Sequence, residues 1–126
     1  MVLDASAVYI LLKRKDLDSL KDATTLDLAF YEVGNSLLKE NRRKIVSSES
    51  FVNALKILKG MEDLMAVKNF RELDAQQVTE ICSTTGLTFY DASYLALAMK
   101  LDEPLATNDV QLAAASRKLG IRALAV

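Results

Sequence analysis

Residues 89–98 have the sequence FYDASYLALA, in which one acid near the start is followed by apolar and small residues. The helix that this segment predicts, continuing to Leu101, is apolar on nearly every side. Such a helix is typical of a central, covered position or of a subunit interface. A short apolar run follows at Leu105–Thr107 and leads to a second acid, Asp109. A buried helix that precedes a short buried strand favours a parallel α/β sheet.

The same alternation of β-prone runs and helical periodicity extends over the whole chain. Strands are predicted near Val2–Leu3, Thr24–Leu26, Leu64–Val67, Leu105–Thr107 and Arg122–Ala125. Asp74 has the features of a helix N-cap, while Gly60 and Gly86 are predicted to end two helices. Residues 1–126 are predicted to form a single domain, since a domain has roughly 150 residues on average.

The composition excludes several kinds of active site. The chain has no histidine, no tryptophan and a single cysteine, Cys82. A histidine-based nucleophile pair, a histidine-ligated zinc and an internal disulfide are therefore excluded. The four glycines are isolated from one another, so no phosphate-binding glycine loop can be formed. If the chain is an enzyme, its carboxylates must perform the chemistry.

Charge and hydropathy predict a cytoplasmic protein without a membrane span. No uncharged stretch approaches the ~18 residues of a spanning helix, and the start lacks the features of a secretory signal. The net charge of −1 argues against binding of nucleic acid by bulk charge. Arg42, Arg43 and Lys44 nevertheless belong to a dense basic patch that begins at Lys39. This patch is either an ordinary solvated surface or a contact for RNA phosphates.

Four acids are predicted to lie where ligands bind in a parallel α/β sheet, beyond the carboxyl ends of the strands. Asp4 follows the first predicted strand, and Glu32 lies about one turn into the helix after the second. Asp91 begins the long apolar helix, and Asp109 follows the fourth strand. Glu32 is surrounded in sequence by apolar residues, so its carboxylate is expected to need a partner.

Each of the other three acids also has a simpler explanation as part of a helix cap. Asp4 could cap the helix that begins at Ala5, and Asp91 could complete a capping box with Thr88. For the last helix, Asn108 is predicted to be the N-cap, which would leave Asp109 in the first turn.

Carboxylates that converge in a partly dry crevice repel one another, and a divalent cation is the natural counter-charge. Ligands that offer only oxygen select Mg²⁺ or Mn²⁺. Ions held in this way typically activate water and stabilise the leaving oxygen in phosphoryl chemistry. The acids therefore indicate hydrolysis of phosphodiester bonds.

Four motifs in this order resemble those of PIN domains, specifically the small VapC-type ribonuclease toxins of toxin–antitoxin pairs. The resemblance covers almost the whole chain. Its motifs are VLDAS at residues 2–6, FYEVGN at 30–35, FYDASYLALA at 89–98 and LATND at 105–109. It implies a three-layer α/β/α, FEN-like fold with a five-stranded parallel sheet in the order 3-2-1-4-5.

The resemblance also implies the function of individual residues. Metal-binding and catalytic roles would belong to Asp4, Glu32, Asp91 and Asp109, acting with Mg²⁺ or Mn²⁺ on single-stranded RNA. Ser6 and Thr107 would orient the carboxylates or a bound water, although each hydroxyl could equally be a local cap. A small antitoxin protein is the implied partner.

Two further expectations concern apolar surface. The helix from Ala92 to Met99 and the helices between Leu28 and Leu58 carry more apolar residues than one small domain easily covers, which predicts a homodimer. The aromatic pairs Phe30-Tyr31 and Phe89-Tyr90 precede two of the acids. Packing in the core is predicted for them rather than stacking on nucleobases.

Three other functions stay open at this point. The chain could be a PIN nuclease of RNA processing without an antitoxin, or an inactive PIN domain that only binds. A receiver-like signalling domain is the third, but its chemistry requires adjacent acids after the first strand, and here Asp4 is followed by Ala5.

Overall fold

The computed structural model describes all 126 residues and contains one five-stranded sheet in which every pair of strands is parallel. The strands are β1 Val2–Leu3, β2 Thr24–Leu26, β3 Ala66–Lys68, β4 Leu105–Ala106 and β5 Ala123–Leu124. Their order is β3-β2-β1-β4-β5, which confirms the predicted topology. From β1 the chain continues to β2 and β3 on one side of the sheet, and it then returns to add β4 and β5 on the other side. A crevice therefore opens beyond the carboxyl ends of β1 and β4, where the strand order reverses.

Six α-helices connect the strands, together with two 3-10 turns at Asp18–Leu20 and Phe70–Glu72. The helices are α1 Ala5–Arg14, α2 Leu28–Arg42, α3 Ser48–Glu62, α4 Ala75–Thr85, α5 Phe89–Leu101 and α6 Val110–Lys118. Because crossovers between parallel strands are right-handed, α1 to α3 lie on one face of the sheet and α4 to α6 on the other. None of these helices is long and apolar enough to cross a membrane.

The hydrophobic core consists of 27 buried residues and includes much of α5. Every residue from Ala92 to Ala98 is buried within this one chain. The central, covered position is therefore the correct explanation of the apolar helix. The helix α5 therefore does not support the predicted homodimer, because it has no apolar run left for a partner to cover.

Some element boundaries differ from the predictions. The prediction that Gly60 ends α3 is wrong, since the helix continues to Glu62 and Gly60 does not adopt the positive φ of a helix stop. β3 begins at Ala66 rather than Leu64, because Leu64 still belongs to the turn after α3 and pairing with β2 starts at Ala66. β4 and β5 are shorter than predicted by one and two residues.

The predicted limits of α4 are confirmed. The side chain of Asp74 accepts hydrogen bonds from the backbone N–H groups of Gln76 and Gln77. Gly86 ends the helix with a φ of 73°, a left-handed conformation that glycine adopts without a steric cost. Local capping signals therefore identified this helix from sequence alone.

Candidate active site at the carboxyl ends of the central strands

Asp4 lies directly after β1 and is only 4% exposed. Its Oδ1 accepts hydrogen bonds from the backbone N–H of Ala7 at 2.8 Å and from Ser6 Oγ at 2.7 Å. Its Oδ2 accepts a hydrogen bond from Thr107 Oγ1, which follows β4. Asp4 is thus the N-cap of α1, which confirms the simpler explanation that the sequence offered for this residue. The same carboxylate also bridges the two central strands of the sheet.

Two hydroxyl groups tie Asp4 to the loop that follows β4. Ser6 Oγ accepts a hydrogen bond from the backbone N–H of Asn108 at 2.8 Å. Thr107 Oγ1 accepts one from the backbone N–H of Asp109 at 3.0 Å. Because each hydroxyl donates its single hydrogen to Asp4, its lone pairs are free to receive these backbone groups. The bond between Ser6 and Asn108 and the bond between Thr107 and Asp4 join residues 102 and 103 positions apart, so the two hydroxyls are more than local caps.

Asp109 is exposed and is the N-cap of α6, with its Oδ1 accepting a hydrogen bond from the backbone N–H of Leu112 at 2.9 Å. The prediction that Asn108 caps this helix is therefore wrong. The N–H of Asn108 is held by Ser6, and the N–H of Asp109 is held by Thr107. These bonds keep the chain extended for one more residue, so α6 starts later and Asp109 takes the capping position.

Glu32 lies in the second turn of α2 and is half-buried. The hydroxyl of Tyr94, on α5, donates a hydrogen bond to Glu32 Oε1 at 3.0 Å. Burial and the adjacent charge of Glu32 raise the pKa of the Tyr94 hydroxyl well above its ordinary value, which keeps it a proton donor. The expected need of Glu32 for a partner is confirmed.

Sequence reasoning did not identify Tyr94 as that partner, because the residue was counted only among the apolar positions of its helix. One signal was available. Tyr94 lies three residues after Asp91, and residues at that spacing share one face of a helix. A tyrosine inside a buried helix also needs a hydrogen-bond partner for its hydroxyl.

Asp91 lies in the first turn of α5 and is half-buried. Thr88 is the N-cap of this helix, and its Oγ1 accepts a hydrogen bond from the backbone N–H of Asp91 at 3.2 Å. The Thr88 half of the predicted capping box is therefore present. A carboxylate in the first turn is also favoured by the positive end of the helix dipole.

Burial and neighbouring acids change the ionisation of Asp4, Glu32 and Asp91. Burial raises the pKa values of Asp4, Glu32 and Asp91 above the ordinary range of a carboxyl. Neighbouring charges add to this rise: Asp109 acts on Asp4 and Asp91, and Asp4 acts on Glu32 and Asp91. The hydrogen bonds to Asp4 oppose part of the rise. The structure therefore brings the four predicted acids into one electrostatically interacting group.

A divalent cation fits the chemistry of this group, because all the available donors are carboxylate oxygens and their charges repel. With the side chains as the structure places them, however, no three of these carboxylates come close enough together to hold an ion. Asp4 is fixed by three hydrogen bonds. Mg²⁺ usually keeps several waters and needs only one or two carboxylates, so Asp4 with one neighbouring acid would be enough to hold it.

A groove of about 470 Å³ extends from the acids along α1 and α2. Its lining includes Ser6 and Glu32 at one end and the basic residues Lys39 and Arg43. Arg43 is the only one of the three predicted RNA contacts that lines the groove, since Arg42 and Lys44 are exposed outside it. Arg43 is the C-cap of α2, and its backbone N–H bonds to the carbonyl oxygen of Lys39, so the two residues lie one turn apart at the end of the helix.

The aromatic residues near the acids are more exposed than expected. Phe30 packs against the core, but Tyr31 is 77%, Phe89 43% and Tyr90 59% exposed. Core packing is therefore the wrong prediction for three of the four. Phe89 and Tyr90 lie in the first turn of α5, before the run that packs on the sheet. With Phe70, these three rings line a pocket that does not contain any of the four acids.

The fold and the four acids agree with a family of nucleases: the chain belongs to the PIN domain family, whose model matches residues 1–118. Two curated relatives from the archaeon Pyrobaculum aerophilum are similar over most of their length. Ribonuclease VapC3 is 34% identical over 121 residues, which is 90% of this chain and 92% of that protein. Exonuclease VapC9 is 32% identical over 118 residues, which is 92% of this chain and 85% of that protein.

Two solved structures resemble this chain in fold. The crystal structure of PAE2754 from Pyrobaculum aerophilum has a TM-score of 0.80 and 31% identity, and the match covers 97% of this chain and 81% of that one. A PilT N-terminus domain protein from Sulfolobus solfataricus has a TM-score of 0.53 and 14% identity, with 98% and 84% covered. The second likeness concerns the fold alone.

Proposed function

We propose that this chain is an endoribonuclease that uses Mg²⁺ or Mn²⁺ to hydrolyse phosphodiester bonds of single-stranded RNA. Membership of the PIN family and the two nuclease relatives support nuclease chemistry. The observation that supports the proposal is that the charges of Asp4, Glu32, Asp91 and Asp109, which come from four separate elements, interact beyond the carboxyl ends of β1 and β4. The chain has no histidine to serve as a base, so carboxylates are the available proton acceptors.

We assign the metal-binding and catalytic roles to all four acids. A bound ion at this position supplies an acidified water and a counter-charge for the leaving oxygen. Ser6 and Thr107 hold Asp4 in one rotamer, so that its oxygens are presented without a conformational search. The pKa of Glu32 is raised, and a raised pKa makes a carboxylate a better acceptor for a proton from water.

The groove beside Glu32 is the proposed path of the RNA strand. Lys39 and Arg43 supply positive charge along it, and phosphates are the part of RNA that such charges bind regardless of sequence. The contacts assigned to Arg42 and Lys44 are weaker candidates, because neither residue lines the groove. They would add attraction at longer range only.

We further propose that the protein is the toxin of a VapBC-type pair, with a small antitoxin protein and a second copy of itself as partners. The VapC names of the curated relatives support the first part. An apolar surface supports association with protein: Val52 and Leu55 on α3 are 49% and 37% exposed. They line a groove between α2 and α3. We place the protein in the cytoplasm with its RNA, and residues 1–126 as one domain.

The central experiment is cleavage of a circular single-stranded RNA with Mg²⁺, with Mn²⁺ and with EDTA. A circle has no ends, so its conversion to a linear product requires an endonuclease. We expect linear product with either ion and none with EDTA, and later fragments should carry 5′-phosphate and 3′-hydroxyl ends. Activity that persists in EDTA, or a 2′,3′-cyclic phosphate, would contradict the proposal.

Exonuclease activity is the second candidate, because one curated relative carries that name. The same four acids would serve either reaction, so the site does not distinguish them. An intact circle together with stepwise shortening of linear RNA would favour the exonuclease.

A further inference from the structure

A second pocket lies beside the acid crevice and has a volume of about 300 Å³. Its aromatic lining comes from three elements: Tyr31 on α2, Phe70 in the second 3-10 turn, and Phe89 and Tyr90 at the start of α5. The chain has four phenylalanines, four tyrosines and no tryptophan. Half of its aromatic residues therefore meet at this one place, and all four of them are exposed.

The pocket adjoins the acid crevice through two pairs of neighbouring residues. Tyr31 precedes Glu32 on α2, and Tyr90 precedes Asp91 on α5. Consecutive helical residues point about 100° apart, so each pair directs a ring and a carboxylate to adjoining surfaces. A nucleic acid whose phosphate lies at the acids would have a neighbouring base within reach of the rings.

One charged side chain, Asp27, lies in this largely apolar lining. Asp27 is exposed and occupies the N-cap position of α2, but its side chain makes no capping hydrogen bond. It also takes part in none of the ion pairs of the chain. Besides the hydroxyls of Tyr31 and Tyr90, the other polar side chain is Ser93, whose hydroxyl already donates to the carbonyl of Phe89 at 2.7 Å. The pocket thus offers rings for stacking and one free carboxylate.

We propose that this pocket binds an unpaired guanine base next to the scissile phosphate, an inference that rests on the nuclease function proposed above. Base stacking on aromatic rings tolerates any base, so the identity must come from Asp27. A carboxylate accepts two parallel hydrogen bonds. Guanine presents two adjacent donors, N1–H and the N2 amino group, whereas each other base presents a single donor group on that edge.

The size of the pocket agrees with this occupant rather than with a protein segment. Small-molecule sites range over roughly 300–1,000 Å³, and this pocket lies at the lower limit. One base and part of its ribose would fill it. A helix or strand of a partner would need a larger space, such as the groove of about 690 Å³ between α2 and α3, which adjoins the pocket and shares Asp27 and Tyr31 with it.

The test uses a uridine hexamer with one central guanosine, the all-uridine hexamer, and the hexamer with inosine in place of guanosine. Binding is measured by fluorescence anisotropy in EDTA, where the proposed cleavage cannot occur. We expect the guanosine hexamer to bind most tightly and inosine, which lacks the N2 amino group, to lose about tenfold. Phe70→Ala should weaken all three about 5- to 150-fold, the range expected for one stacked base.

Asp27→Asn provides the sharper variant, because it should remove the preference for guanosine while leaving the all-uridine hexamer unchanged. Leu64→Ala is the matched control, an exposed apolar residue outside the pocket, and it should bind like the parent. Equal binding of guanosine and inosine hexamers, or of Phe70→Ala and the parent, would overturn the proposal. So would a change of mass of Phe70→Ala in light scattering, which would make the pocket a contact between copies.

These outcomes separate the two proposals. Selective binding of guanosine in EDTA without cleavage in Mg²⁺ would leave the pocket standing and remove the nuclease function. Cleavage in Mg²⁺ that is indifferent to guanosine, to Asp27→Asn and to Phe70→Ala would do the reverse.

Discussion

The hydroxyl of Tyr94 donates a hydrogen bond to Oε1 of Glu32 at 3.0 Å and so joins residues 62 positions apart in sequence. Tyr94 belongs to α5 and Glu32 to α2. These helices lie on opposite faces of the sheet, and the bond connects the two layers at the crevice itself. It holds one carboxylate oxygen of Glu32 and leaves the other for chemistry.

Tyr94→Phe tests this link, because it removes one oxygen and keeps the buried ring. We expect a loss of about 1–2 kcal/mol in the free energy of unfolding, since a partly buried carboxylate loses a donor. We also expect RNA cleavage to need about 10- to 100-fold more Mg²⁺, the usual effect of losing a residue that orients a metal ligand. Urea denaturation and an Mg²⁺ titration of cleavage measure the two effects.

Tyr9→Phe is the matched control, because Tyr9 donates the same kind of hydrogen bond to Glu40, which lies farther along the groove and is not one of the four acids. It should cost stability without changing the Mg²⁺ requirement. If both variants shift the Mg²⁺ requirement equally, the Tyr94 bond has only a structural role.

Asp91→Asn should separate catalysis from stability. Burial and the charges of Asp109 and Asp4 disfavour the ionised form of Asp91. Removing its charge therefore relieves repulsion in the metal-free protein. We expect cleavage to fall by about 10³-fold or more while the unfolding free energy in EDTA stays equal or rises. Asp74→Asn is the control and should change neither quantity, since asparagine is an equally good N-cap. Clear destabilisation by Asp91→Asn in EDTA would make Asp91 a structural residue.

The stability of the metal-free protein should depend on pH in a definite direction. The folded-state pKa values of Asp4 and Asp91 lie above 3.8, and that of Glu32 lies above 4.5. The folded state therefore holds these protons more tightly than the unfolded state. The resulting stability is full below the ordinary values and is lost as the pH rises through the folded ones.

We accordingly expect the unfolding free energy in EDTA to fall as the pH rises above the ordinary carboxyl values of 3.8 and 4.5. Millimolar Mg²⁺ should remove most of this fall, because an ion bound only to the folded state offsets the repulsion. Glu40 and Asp16 have lowered pKa values and act in the opposite sense only below 4.5 and 3.8, outside this window. Urea midpoints across this range, with and without Mg²⁺, measure the effect, and a flat profile in EDTA would refute it.

Arg43→Ala and Arg42→Ala form a comparison within one basic patch. Arg43 lines the groove beside Glu32, whereas Arg42 does not. We expect Arg43→Ala to weaken RNA binding and to lower the slope of log affinity against log salt by about 0.7, the value for one contact to a single-stranded phosphate. Arg42→Ala should have a smaller effect on both. Equal effects would mean that the patch attracts RNA only through its total charge.

Much of the fold could be predicted from local patterns. The alternation of short strands and helices and the caps of α4 follow from hydrophobic periodicity and local hydrogen bonding, which operate within a few residues, whereas for α5 the same patterns left a covered position and a subunit interface open. The same reasoning placed Gly60 at the end of α3 and Asn108 at the start of α6, and both placements were wrong. At Gly60 the helix simply continues to Glu62. At Asn108 a tertiary hydrogen bond to Ser6 sets the boundary.

The sequence by itself determined which residues could do chemistry: it contains four acids in motif positions and no histidine, and parallel strands must bring their carboxyl ends to one edge. Only the tertiary structure decided how those residues are used. It paired Glu32 with Tyr94 and tied Asp4 to Thr107. It also turned Arg43 toward the groove and left Tyr31 and Tyr90 exposed. Such outcomes depend on which surfaces of distant helices meet, and a local pattern of residues does not contain that information.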